Sequence, residues 1–159
     1  MFFLVPQNTA YSAEVQYFLD KRFVDFTDSE RVDSAKSIYY RHGDIIEKTV
    51  NEIDPDGFLY KKCSNEIESD YIVKLEPNFF YNPAMTIMYA DLKYSVFIES
   101  GELIHSSIIS LKKQMRLQIL PQEQLKSLYT YFIKEINKNI QSIVVKKKIQ
   151  GSFCKVLEK

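Results

Sequence analysis

The chain has 159 residues, 45% of them hydrophobic and 26% charged, with a formal net charge of zero, enough apolar side chain for a buried core in one domain. Zero net charge removes any global drive toward nucleic acid or an anionic membrane. Four glycines argue against phosphate-cradling loops, and no stretch approaches the roughly 20 apolar residues that span a bilayer.

The start, MFFLVPQ, reads as a short first strand over residues 2–5 rather than a signal peptide, because it lacks a basic region and Pro6 interrupts it. A chain that begins on a strand fits a complete cytosolic protein or a secreted one whose leader is replaced by Met1. Residues 13–26, AEVQYFLDKRFVDF, alternate at Val15, Tyr17 and Leu19 and read as a strand. Val15, Phe18, Leu19 and Arg22 would also suit a helix face. Residues 33–53 read as a long helix. Asp33 or Ser34 serves as its cap, and Ala35, Ile38, His42, Ile45, Ile46, Thr49, Val50 and Ile53 form one stripe. DPDG at 54–57 ends it, and FLYKK at 58–62 suits a short strand.

The strongest alternation follows. Tyr71, Val73 and Leu75 share a face in residues 70–77, and Met88, Ala90, Leu92, Tyr94, Val96 and Ile98 share one in residues 86–98. Tyr89, Asp91, Lys93 and Ser95 take the other side, the pattern of a sheet with one buried and one wetter face. Residues 86–115 form a hairpin around ESGE, with Gly101 at the position that tolerates positive φ. Residues 121–148 form the last helix, with Pro121 in its first turn, Glu123 at the positive end of its dipole, and Lys146, Lys147 and Lys148 at the other end. Its stripe is Leu125, Leu128, Phe132, Ile136, Ile140, Ile143 and Val144.

The order is β(β)αββββα. It predicts one α+β domain over residues 1–159: a two-layer sandwich with a mostly antiparallel or mixed sheet of about five strands and two long amphipathic helices on one face. Residues 1–70 carry 8 Lys/Arg and 14 Asp/Glu, and residues 71–159 carry 13 and 7. The two halves therefore either complement each other or leave a basic face for a partner.

Between the strands lies EPNFFYNPAM at 76–85, with Phe79, Phe80 and Tyr81 bracketed by Pro77 and Pro83. It reads as a structural corner, because neither proline donates a ladder bond, or as a partner-binding patch made by the three aromatics. Asn78 and Asn82 can bond the loop backbone. Continued alternation from Tyr71 puts Phe79 and Tyr81 on the core side and leaves Phe80 exposed.

Catalytic constellations are missing, and no enzymatic activity, cofactor or metal site is expected. His42 lies on a helix stripe. His105 shares a strand face with Ser107, the one arrangement in which a small hydrolase could be sought. Asp54 and Asp56 lack the further ligands of a calcium loop. Cys63 and Cys154 are either two independent buried thiols or a disulfide closing a loop of about 90 residues, worth roughly 4–5 kcal/mol and implying an oxidising compartment.

The stretch SDYIVKLEPNFFYNPAMTIMYADLKYSVFIESGELI, with Tyr94, Val96, Gly101 and Leu103 in a Y-x-V-x-x-x-x-G-x-L arrangement, resembles small bacterial envelope lipoproteins. The plan is similar to the N-terminal domain of TolB and to the curli-secretion lipoproteins, best over residues 65–159. The resemblance implies a non-catalytic, periplasmic or outer-membrane-associated protein acting in assembly or protein binding. Its lipobox cysteine would have been removed with a leader, so membrane contact would come only through an anchor absent from this chain. The other reading is a cytosolic interaction module: an adaptor, immunity or phage-type factor. Both allow a protein partner or a homo-oligomer and no nucleic acid.

Overall fold

A computed structural model describes residues 15–24, 27–31, 37–54, 59–60, 68–69, 71–98, 101–116, 121–142 and 149–150. In chain order the elements are β1 (Val15–Leu19), α1 (Lys21–Val24), β2 (Thr27–Arg31), β3 (Ser37–Arg41), α2 (His42–Ile53), β4 (Leu59–Tyr60), β5 (Glu68–Ser69), β6 (Tyr71–Asn82), β7 (Ile87–Phe97), β8 (Leu103–Gln114), α3 (Pro121–Gln141) and β9 (Ile149–Gln150). The strand expected at 2–5, both cysteines and Lys146 to Lys148 lie outside the described residues.

The main sheet has the order β4-β1-β6-β7-β8. β1 runs parallel to β4 and β6, while β6, β7 and β8 form an antiparallel meander. A parallel neighbour needs a long crossover, and the β1–β4 connection holds α2. The α+β class expected from the sequence is present. The strand count falls short of five full strands: four carry the sheet, and β4 adds a two-residue edge. Two small ribbons, β2–β3 and β5–β9, are additional.

Four boundaries differ from expectation. The last helix, expected over 121–148, ends at Gln141 with Ser142 in a turn, and Ile143 and Val144 of its expected stripe lie outside the described residues. The strand at 13–26 stops at Leu19, because the Asp20 side chain accepts the Arg22 N–H at 3.0 Å and the Asp20 carbonyl accepts the Phe23 N–H, turning the chain into α1. The helix expected over 33–53 begins only at His42, so Asp33 and Ser34 are not its caps. Residues 37–41, SIYYR, instead pair with β2, as suits their β-branched and aromatic content. Arg41 then stands at the cap position in extended geometry with no side-chain cap, and α2 has 12 residues rather than 21. Finally, EPNFFYNPAM is not a break between strands. β6 continues to Asn82 and pairs with β7 throughout, Pro77 lying opposite Leu92. β1 has ended by then, its last partner being Leu75. On that side Pro77 has no β1 residue opposite it, so its missing N–H leaves no ladder bond unmade there.

The reversal falls at residues 83–86. Asn82 Oδ1 accepts the Met85 N–H at 3.2 Å, as expected of Asn82. Thr86 has a φ of 51°, costly for a β-branched residue. It is held there by Met115 N–H donating to its carbonyl at 2.8 Å and by the Gln114 amide donating to its hydroxyl. Gly101 takes a φ of 75° in the other reversal.

The core joins one sheet face to both helices. Tyr17, Leu19, Val73, Leu75, Ala90, Leu92 and Val96 meet Ile46 and Val50 of α2 and Leu125, Leu128, Phe132 and Ile136 of α3. Tyr129 and Ile133 widen the α3 stripe beyond the expected positions. Each fully buried aliphatic side chain contributes about 1.5–3 kcal/mol. The acidic and basic halves pair directly, Lys74 with Asp20 at 3.2 Å and Lys126 with Glu52 at 2.6 Å.

Candidate functional site

Strand alternation sorts the three aromatics as expected. Phe79 and Tyr81 pack against the core cluster, and Phe80 is 63% exposed on the opposite face. Phe79 sits 5.1 Å from the His42 ring and 5.1 Å from the Tyr129 ring. His42 is buried, with Nδ1 2.7 Å from the Tyr129 hydroxyl. It is a core residue that joins α2 to α3.

The face that carries Phe80 is built by β6, β7 and β8. Register places Phe80 opposite Tyr89 and Tyr89 opposite Lys112. The two rings lie 6.1 Å apart, and Lys112 Nζ stands 5.4 Å from the Tyr89 centroid, a cation–π geometry. Neighbouring rows are Asn78–Asp91–Ser110 and Glu76–Lys93–Ile108. Ile108 is 60% exposed. Toward β1 this second face is covered, since Gln16, Phe18 and Ile72 are buried. The open surface therefore begins near Lys74. The basic neighbours that the aromatics lack in sequence, Lys93 and Lys112, come from β7 and β8. Only the meander brings them alongside, so no local sequence signal could have found them.

A chain of ion pairs borders this surface. Arg22 bonds Asp20 at 3.0 Å and Glu76 at 2.9 Å, Lys74 bonds Asp20, and Lys93 bonds Glu76 at 3.1 Å. Arg22, and then Lys74, hold the Asp20 carboxyl down at about 2, from an ordinary 3.8. A depressed carboxylate contributes stability above its unfolded value and loses it as pH falls through its folded value. Wild type is thus expected to lose stability between pH of about 4 and about 2. Asp20→Asn should be less stable at pH 7 and should flatten that part of the profile, as read by thermal melts across the range.

A second polar cluster lies between α3 and the sheet. The Asn139 amide donates to the Tyr94 hydroxyl at 3.0 Å, and that hydroxyl stands 3.1 Å from His105 Nε2. Which of the hydroxyl and the ring nitrogen donates follows the His105 tautomer. Ser107, opposite Tyr94, is not bonded to His105 among the described residues. The Tyr17 hydroxyl donates to Asn137 Oδ1. Burial, and next the charge of Asp54, push that phenol far above its usual range, so it serves as a neutral donor. These tyrosines anchor α3 through its asparagines.

Among the described residues no three His, Cys, Asp or Glu side chains gather to hold a metal ion, and no helix is long and apolar enough to cross a membrane. The candidate disulfide of Cys63 and Cys154 lies outside the described residues. The chain is similar to a solved structure described as "Crystal structure of uncharacterized protein", at 9% identity and a TM-score of 0.42, over 80% of this chain and 87% of that one. No protein-family model and no curated protein matches the chain.

Proposed function

We propose that this protein is a non-catalytic protein-binding module, acting in assembly or recognition through the open sheet face centred on Phe80, Tyr89 and Lys112. The observation that supports the reading is Phe80, a large aromatic 63% exposed on a regular ladder, two residues before β6 ends at Asn82. A rigid aromatic beside a second ring, bordered by polar groups, has the composition of an interface hot spot. Lys74, Lys93 and Lys112 are interspersed with Glu76 and Asp91 on this face, a mixture that suits a protein surface better than a phosphate backbone.

The setting proposed is the periplasmic side of the cell envelope, with a lipid anchor carried by the precursor. It is supported by the resemblance of residues 65–159 to envelope lipoproteins. A leader ending in a lipobox cysteine upstream of Met1 is the expected genomic observation. A ribosome-binding site directly before Met1 would move the same module to the cytosol.

Phe80→Ser should lower stability by less than about 1 kcal/mol, as expected for an exposed strand position. It should also weaken partner binding at least tenfold, within the range of a hot-spot truncation. The check is a comparison of proteins retained from native-host extract by immobilised wild type, Phe80→Ser and a surface control, Lys134→Ala. A partner lost only with Phe80→Ser supports the reading. Identical retention by all three would refute it.

A further inference from the structure

We infer that the outer edge of β8 pairs antiparallel with β8 of a second copy of this chain, joining the two main sheets about a two-fold axis near Ile108. Among the described residues β8 has a strand neighbour on one side only, β7. It is 12 residues long, contains no proline, and has no Lys, Arg, Asp or Glu from Leu103 to Leu111. Sheet edges are normally defended by short length, proline or charge within the strand. Here the only irregularity is a one-residue register shift between Val96 and Phe97, at the start of β8.

Charge and symmetry favour a second copy over an unrelated strand. Glu102 precedes β8, and Lys112 and Lys113 lie near its other end. Antiparallel self-pairing brings the acidic start of each strand beside the basic end of the other, whereas parallel pairing sets like charges together. Ile108 sits at the middle of the strand with 60% of its surface exposed. The two-fold brings the two Ile108 side chains together on the open face, flanked by Ser106 and Ser110, which are small enough to allow the approach. An isologous contact of this kind closes on itself as a dimer, and main-chain bonds supply the attraction, as in strand addition generally. The inference shares Lys112 and the open face with the proposed function, but its test reads the edge backbone through Ile108 and Glu102 and leaves Phe80 untouched.

Sedimentation equilibrium of the full chain tests it. Wild type should be dimeric at loading concentrations of roughly 100 μM. Ile108→Glu faces Lys93 within its own sheet, so the protomer should fold. Across the axis it sets two carboxylates together, and Kd should rise about 100-fold or more. Glu102→Lys, outside the strand, should raise Kd about tenfold through the lost charge match, with the circular dichroism spectrum unchanged. A monomeric wild type at that concentration would overturn the inference and leave the edge to another chain. A dimer whose Kd is insensitive to both substitutions would overturn it too, by placing the contact elsewhere.

Discussion

Ile136→Asp is expected to lower the melting temperature by about 10–20 °C, or to prevent folding altogether. Ile136 is fully buried on the α3 stripe, in one cluster with Leu92, Tyr94 and Phe132. The substitution removes a large apolar side chain and places a carboxylate among groups that cannot hydrate it. Loss of the packing alone costs about 2–5 kcal/mol. Burial of the acid adds to this, whether it stays ionised or takes up a proton at the cost of a raised pKa. The sum is comparable with the whole stability of a domain this size, roughly 5–15 kcal/mol. Lys138→Ala is the control on the same helix. Lys138 is exposed in the last turn, where a cation complements the helix dipole for less than about 1 kcal/mol. Differential scanning calorimetry of the two variants checks the pair. A melting temperature for Ile136→Asp within a few degrees of wild type would show that α3 does not cover the sheet as described.

Phe79→Ser should cost about 2–4 kcal/mol, several times more than the change at Phe80 one residue later. The Phe79 ring is half-buried and contacts His42 and Tyr129, with Phe132 at 6.3 Å. Its removal opens a cavity where α2, α3 and β6 converge, and it leaves a hydroxyl beside the His42–Tyr129 hydrogen bond. Phe80 lies beside the tilted Tyr89 ring and is otherwise exposed, so its loss creates no cavity. Urea unfolding separates the two changes through their midpoints at a common slope. A larger loss at Phe80 than at Phe79 would reverse the face assignment of β6 beyond Pro77.

That face assignment illustrates what a strand pattern can carry. The side-chain period is two, so Tyr71, Val73 and Leu75 already determine where Phe79, Phe80 and Tyr81 point, provided that no bulge intervenes. None does between Tyr71 and Asn82. The hairpin over residues 86–115, the positive φ at Gly101, the apolar stripe of α3 and the α+β class were legible for the same reason: each is a local pattern that tertiary packing reinforces. Where local preferences competed, the outcome lay outside the sequence window. Residues 37–41 satisfy a helical stripe through Ile38 as well as a strand propensity through Ile38, Tyr39 and Tyr40. Pairing with the charged segment Thr27–Arg31, which has no strand signature of its own, decided for the strand. Pro77 looked like a break because a proline removes a donor. Only the length of β1, which stops at Leu19 opposite Leu75, showed that no partner there required one. The candidate surface depended on tertiary structure most of all. Phe80, Tyr89 and Lys112 lie on three strands, and their approach is set by the register of β6 on β7 and β7 on β8. Such register emerges from turn geometry and from the burial of the opposite face, neither of which any one of the three residues records.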